Sequence, residues 1–215
     1  MAHFGSAFPD DLGRLFEPYI GRQLELIPDA QVIPEIMYVE NGKEYRTLDY
    51  VVVMEELVLL VEVKSTAPTA DNRLGSATAR AKLGTQLGTA FTQIDRAAKL
   101  IKEGHRAYRD VPSDRPVLGL VVTREPFHMA NASDLRGQLP QTATHITITS
   151  AMEIETLVML ADVSVSELLL TRDACPETST NPLFTSFRGQ RVEKNPVLEQ
   201  GWKSYPWRDS SLAGQ

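Results

Sequence analysis

The stretch LDYVVVMEELVLLVEVKST, Leu48 to Thr66, constrains the fold more than any other part of this chain. Two apolar runs, too short for core helices and rich in Val and Leu, meet at Glu55-Glu56 and read as a β-hairpin. Side chains alternate across a strand. Glu62 and Lys64 therefore share a face with Val58 and Leu60, while Leu57, Leu59, Val61 and Val63 share the other. Both faces are apolar, so burial on both sides is expected, with charge only at the C-terminal end. In open α/β sheets that end is where ligand crevices form. A turn symmetric about Glu55-Glu56 pairs residues whose numbers sum to 111, which sets Asp49 opposite Glu62. Directly opposed Cβ atoms lie roughly 4.5–5.5 Å apart, and two carboxylates so placed repel each other in low dielectric. A divalent cation between them removes that cost, and hard cations such as Mg²⁺ favour carboxylate oxygens. The alternative is a buried ion pair of Lys64 with Asp49 or Glu62, which leaves one carboxylate over. A three-residue loop with a bulge would turn Asp49 to the other face.

The hairpin sits in a chain of 215 residues, 42% hydrophobic and 23% charged, which suits one globular domain with a small appendage. No apolar run approaches the roughly 20 residues that span a bilayer. The opening MAHFGSAFPDD has no basic region followed by an apolar one, so no secretory signal is expected. Cys175 is the only cysteine, which excludes an intramolecular disulfide and fits a cytoplasmic protein. The net charge of −6 argues against a general nucleic-acid coat. Its distribution is uneven. From Arg73 to Arg109 there are eight basic residues and two acids, hence +6 there and −12 elsewhere. That segment reads either as a solvated helix face or as a cradle for a polyanion.

Periodicity places a helix over Phe8 to Leu26, with a kink or break near Glu17 because Pro18 sits inside it. Gln31 to Val39, Tyr45 to Met54 and Leu57 to Lys64 read as a three-strand meander, with Asn41-Gly42 as the first hairpin turn. Ala67 to Ser76 reads as a loop. Ala77 to Glu103 reads as a long helix ended by Gly104. Val117 to Thr123 is a continuous apolar run of the buried-strand type, and His145 to Ser150 is a further strand. Ala151 to Leu160 and Val163 to Leu170 read as helices. From Thr171 onward the expectation is an extended tail with aromatic anchors. The fold class is α/β with a mixed sheet. Residues 1–150 are expected to form the main domain, and 151–215 a helical and irregular extension packed on it.

The order helix, three strands, helix, strand, with Asp49 in TLDYVVV and Glu62 and Lys64 in LVEVKST, resembles the PD-(D/E)xK nuclease superfamily. This group includes restriction endonucleases, Holliday-junction resolvases and nuclease-related NERD domains. The resemblance covers roughly Pro9 to Thr123. Leu48 stands where the proline that names the motif would be. Many members add an acid in the first helix and a Gln in the helix after the third strand. Glu17 in RLFEPYIG and Gln93 in FTQIDRAAKLI are the matching positions, with Gln86 a weaker rival for the second.

The resemblance implies an αβββαβ core and hydrolysis of phosphodiesters in DNA, ahead of RNA, using Mg²⁺ or Mn²⁺. It implies that Asp49, Glu62 and the Val63 carbonyl hold the metal, with Glu17 completing the shell or holding a second ion. Lys64 would orient the attacking water and stabilise charge on the phosphate, and Gln93 would fix Lys64 or that water. Arg73, Arg80 and Lys82, flanking the loop beyond Lys64, would then hold the substrate backbone. Repair or defence against foreign DNA are the settings implied. A homodimer, or a larger complex or longer chain that supplies specificity, is the expected arrangement, since no base-reading module is present. The rival readings are a non-catalytic nucleic-acid-binding module and an assembly domain whose charges form a buried ion network.

Other signals are weak. His3, His105, His128 and His145 lack zinc-site spacing. No G-x-S-x-G elbow or phosphate-cradling glycine loop occurs. Trp202, Tyr205 and Trp207 are read as packing on a core or a partner subunit rather than as base-stacking residues.

Overall fold

A computed structural model describes residues 7–65, 77–127 and 136–204. Helix α1 spans Ala7–Leu24 without a break. Pro18 removes one helical hydrogen bond, yet Pro18 and Arg14 are both exposed, so water can serve the freed carbonyl and no break follows. Phe16, Ile20 and Leu24 form the buried stripe, whereas Leu15 is turned outward.

The expected meander is present but divided. Strand β1 is Gln31–Pro34, β2 Met37–Glu40, β3 Lys43–Arg46, β4 Tyr50–Val53 and β5 Val58–Lys64. β1 pairs antiparallel with β4, ending at Pro34↔Tyr50, and β2 pairs with β3, starting at Met37↔Arg46. Between those two pairs lie residues 35 and 36 on one strand and 47, 48 and 49 on the other. One extra residue makes this a bulge. The Thr47 side chain fills the gap: Ile36 N–H donates to Thr47 Oγ1 at 2.7 Å, and Thr47 N–H donates to the Ile36 carbonyl at 3.0 Å. The long strands read from the sequence therefore break at the same level. Pro34, which has no N–H, closes the β1–β4 ladder at the edge of the sheet. The Asn41-Gly42 turn has φ of 51° and 74°, the left-handed pair that a two-residue hairpin requires.

β4 and β5 pair with Tyr50↔Val61 through Val53↔Val58, the register that sums to 111. Met54 N–H donates to the Leu57 carbonyl at 2.9 Å and closes the Glu55-Glu56 turn. β5 then runs parallel to β6, Val117–Thr123, which runs parallel to β7, Ile146–Ser150. The five-stranded mixed sheet has the order β1-β4-β5-β6-β7. Helices cover both faces, so the fold is α/β with a mixed sheet flanked by helices.

One face packs α1 with Tyr50, Val52, Leu57, Leu59 and Val61. Helix α3, Ala151–Leu157, and helix α4, Val165–Asp173, complete it through Ile154, Leu157, Leu168 and Leu169. The other packs helix α2, Ala77–Lys102, through Leu87, Phe91 and Ile94 onto Val51, Val53, Val58 and Leu60. Burial from both sides explains the uninterrupted apolar runs. α2 ends as expected at Gly104, whose φ is +68°. There His105 N–H reaches the Leu100 carbonyl at 2.9 Å and Gly104 N–H the Ile101 carbonyl at 3.0 Å, a Schellman closure.

The tail is more ordered than its composition indicates. Helix α5, Pro176–Ser179, a 3₁₀ turn at Leu183–Phe187 and helix α6, Pro196–Lys203, follow α4. Asn195 caps α6, and its side-chain N–H reaches Gln23 Oε1 of α1 at 2.6 Å in a buried position. Trp202, read as a packing anchor, is 66% exposed. Tyr205 and Trp207 lie outside the described residues. No helix among the described residues is long and apolar enough to cross a membrane.

Candidate active site

β5 outlasts its antiparallel partner. The β4 ladder stops at Tyr50↔Val61, so, among the described residues, residues 62–64 have a strand neighbour on the β6 side only. The bulge at Thr47–Asp49 delivers Asp49 into that gap. Its Oδ2 accepts the Val63 N–H at 2.7 Å, the bond a longer β4 would have made. A strand residue presents both backbone groups to the same neighbour, so the Val63 carbonyl faces the same gap.

Glu62 and Lys64 project from the α2 face, the side of Val51 and Val53; Asp49 sits in the bulge, where strict alternation does not hold. Glu62 is 3% exposed. Lys64 Nζ donates to Glu62 Oε1 at 2.7 Å, and the Asp49 backbone N–H also acts on this carboxylate, while among the described residues the buried Glu62 Oε2 has no partner at normal hydrogen-bond geometry. The contrast with Glu153, 5% exposed, is instructive. Glu153 Oε2 accepts from Ser150 N–H at 2.8 Å, Ser150 O–H at 2.9 Å and Thr149 O–H at 3.2 Å, and Oε1 accepts from Phe184 N–H at 3.0 Å. A buried carboxylate with a structural role is satisfied on both oxygens, and Glu62 is not. Burial, then the Asp49 charge, pushes the Glu62 carboxyl up to about 7, against the opposing pull of Lys64 and of the Asp49 backbone N–H. Burial also raises Asp49, despite the Val63 N–H and Lys64.

α1 brings a third acid to this rim. Gly13, Glu17 and Gly21 recur at i, i+4, i+8 and share one side of the helix. A Cβ on Gly13 would lie 3.4 Å from Ser65 Oγ, next to Lys64, and one on Gly21 would lie 2.7 Å from Tyr50 Cζ. No side chain fits at Gly21, so α1 rests directly on Tyr50, whose hydroxyl donates to the Glu17 carbonyl at 3.1 Å. Glu17 itself is exposed. Partial desolvation against the rim, then the charges of Asp49 and Glu35, raise its carboxyl. Burial followed by the Glu17 and Asp49 charges also lifts the Tyr50 hydroxyl to about 12.

Glu35 was not singled out in the sequence. It occupies the bulge opposite Asp49, pairs with Arg46 at 3.3 Å, and raises both Asp49 and Glu17. Pro34 inside an apparent strand was the available signal, because proline there marks an edge or a bulge.

Among the described residues no three His, Cys, Asp or Glu side chains already stand in a metal-holding group. The donor set nevertheless suits a hard cation: two facing carboxylates, one with an orphaned buried oxygen, beside a backbone carbonyl.

The remaining positions are spread more widely. Gln93 is exposed on α2 and has no hydrogen bond to Lys64 among the described residues; it lines a cavity between α2 and the β2–β3 hairpin. Arg73 lies outside the described residues, and Arg80 and Lys82 lie in the first turns of α2 with side chains not described. Much of the remaining cationic segment serves the fold. Arg96 stacks on the Tyr45 ring at 4.8 Å, Arg106 donates to the Val39 carbonyl, and Arg109 pairs with Asp110 at 3.4 Å.

No family model matches the sequence, and no curated protein matches it. Among solved structures, the small subunit of the heterodimeric restriction endonuclease R.BspD6I is similar at 12% identity, over 71% of this chain and 74% of that one, with a TM-score of 0.38. So distant a likeness carries no argument about chemistry. The site stands on this chain's own geometry.

Proposed function

We propose that this protein is a metal-dependent nuclease that hydrolyses phosphodiester bonds in nucleic acid, DNA ahead of RNA. The observation that carries the reading is the buried Oε2 of Glu62, without a hydrogen bond among the described residues, beside Lys64 and within the field of Asp49. Folding has left a carboxylate oxygen unsatisfied at the open end of a sheet, which is costly unless something else binds there. Mg²⁺, or Mn²⁺ in its place, would be held by Asp49, Glu62 and the Val63 carbonyl, with Glu17 at the rim. Bound there, such an ion polarises a phosphate and acidifies a water.

The chain's own groups supply the rest. Lys64 moves its ammonium from Glu62 to the attacking water and to the charge that develops on the phosphate. Asp49, anchored by the Val63 N–H, keeps its orientation without help from substrate. Burial of Glu62 keeps bulk water from competing for its oxygens. Arg73, Arg80 and Lys82 remain the proposed contacts to the sugar-phosphate chain, which would make binding strongly salt-dependent. A second copy or a partner chain is the proposed source of target selection.

The second reading, a structural ion network without catalysis, draws support from the Lys64–Glu62 ion pair and the Asp49–Val63 hydrogen bond. One comparison separates the two. Plasmid, linear and single-stranded substrates are incubated with Mg²⁺ or Mn²⁺ and either wild type or Lys64→Ala. The nuclease reading predicts cleavage by wild type and at least about a hundredfold loss in the variant, the scale of one stabilising donor. Equal cleavage by both counts against the Lys64 mechanism, and cleavage by neither favours the network.

A further inference from the structure

The cavity lined by Gln93 lies one residue from the acids. About 290 Å³ in volume, it is walled by Tyr38 and Tyr45 of the hairpin, by Gln93 and Arg96 of α2, and by Arg46 and Leu48 of the bulged strand. Leu48 is bonded to Asp49. The Arg46 charge acts on Glu17. Tyr108, also in the wall, lies within the field of Glu62. The cavity and the acid pair therefore share one side of the sheet and one local electrostatic environment.

Its walls are part aromatic and aliphatic, part polar. Tyr38 and Tyr45 stack with centroids 5.6 Å apart and planes inclined by 22°, and the Arg96 guanidinium lies 4.8 Å from the Tyr45 centroid. Tyrosine rings and a guanidinium are groups on which bases stack. Gln93 can both donate and accept hydrogen bonds. The hairpin is fixed against α2 from outside the cavity. His105 meets Tyr38 edge-on at 5.4 Å and contacts Glu40 Oε1 at 3.1 Å. The volume is at the bottom of the range for small-ligand sites, roughly 300–1,000 Å³, which suits one heterocycle rather than a duplex step.

We propose that this cavity receives one unstacked nucleobase of the substrate, beside the carboxylates that would hold the metal at the scissile phosphate. The inference rests on the nuclease reading and extends it. A base inside a duplex cannot enter such a cavity without being turned out of the stack, and a single-stranded or unpaired base enters at least cost. The substrate class is therefore nucleic acid with an unpaired nucleotide beside the cleaved bond.

The test combines an abasic walk with fluorescence. Cleavage in Mg²⁺ is measured on single strands carrying one abasic position at successive sites, on paired duplex, and on duplex with one unpaired nucleotide. In parallel, single strands containing 2-aminopurine are titrated in Ca²⁺ with wild type, Tyr38→Ala and Gln93→Ala. Gln93 is an exposed helix residue, so its variant folds even if Tyr38→Ala disturbs the hairpin. The expected result is preference for unpaired substrate, with a drop on the order of 10-fold or more at one fixed abasic position. Quenching of 2-aminopurine should weaken in both variants. Cleavage that persists equally at every abasic position overturns the base site and leaves the nuclease reading standing. Absence of cleavage together with quenching that both variants weaken supports the base site and counts against the nuclease. Quenching equal in all three proteins overturns the base site.

Discussion

At the scale of single residues, the decisive contrast is between two buried glutamates. Glu153 is satisfied by four donors, whereas Glu62 pairs with one lysine and, among the described residues, its Oε2 lacks a normal hydrogen bond. Because the folded-state value of Glu62, about 7, lies above its ordinary 4.5, the folded protein holds that proton more tightly than the unfolded chain does. The stability it contributes is full below about pH 4.5 and is lost as pH rises through about 7. Glu62→Gln removes the ionised form. Without added metal, the variant should match or exceed wild type in thermal stability at pH 8, and its relative advantage should vanish at pH 5. Thermal unfolding at both values checks this. The hairpin register and the shared face of Glu62 and Lys64 were legible in the sequence because strand alternation and a symmetric turn fix them; Asp49 lies one residue beyond that ladder, in the bulge. Glu35 was not legible, since only the bulge brings it opposite Asp49. Gln93 was legible as a polar residue at the right place in the helix, but its position along α2 sets it against the hairpin cavity.

At the scale of elements, the bulge and the first helix position the acids. Gly21 lets α1 rest on Tyr50, and that contact holds the Glu17 turn over the rim. Gly21→Ala forces a methyl into the Tyr50 ring. The expected cost is about 1–3 kcal/mol in urea unfolding, with Mg²⁺-dependent cleavage weakened beyond what the lost stability explains. Native stability and undiminished cleavage would show that α1 has no positioning role. Element existence was legible nearly throughout, because apolar period and length agree in β5, β6 and α2. The division of the first two strands was not, because a three-against-two bulge closed by a Thr47 side chain leaves no periodic trace. Pro18 indicated a break that the exposed side of α1 absorbs.

At the scale of the whole molecule, the mixed sheet is a wall with a different helical layer on each face. The layer containing α1 is shared with residues beyond 150: Ile154, Leu157, Leu168, Leu169 and Leu183 belong to the same core. Truncation after Ser150 should therefore abolish cooperative unfolding, which circular dichroism in a urea series would report; a truncated protein with a sharp transition would place the boundary at 150 after all. The tail was the least legible part of the chain. Its short helices are held by a buried Asn195–Gln23 hydrogen bond and by backbone pairing near Leu160 and Val192, contacts between distant segments that local periodicity does not encode.

The central claim is that the bare oxygen of Glu62 and the facing Asp49 form a cation site, and it has a direct measurement. Wild type and Glu62→Gln are compared by thermal unfolding at pH 8 over a Mg²⁺ titration, with Na⁺ at matched ionic strength as the control. A bound ion stabilises by about 2.7 kcal/mol at 100 times its Kd, so wild-type Tm should climb with Mg²⁺ while the variant stays flat. Parallel curves for the two proteins, or a wild-type curve no different from the Na⁺ control, would contradict it.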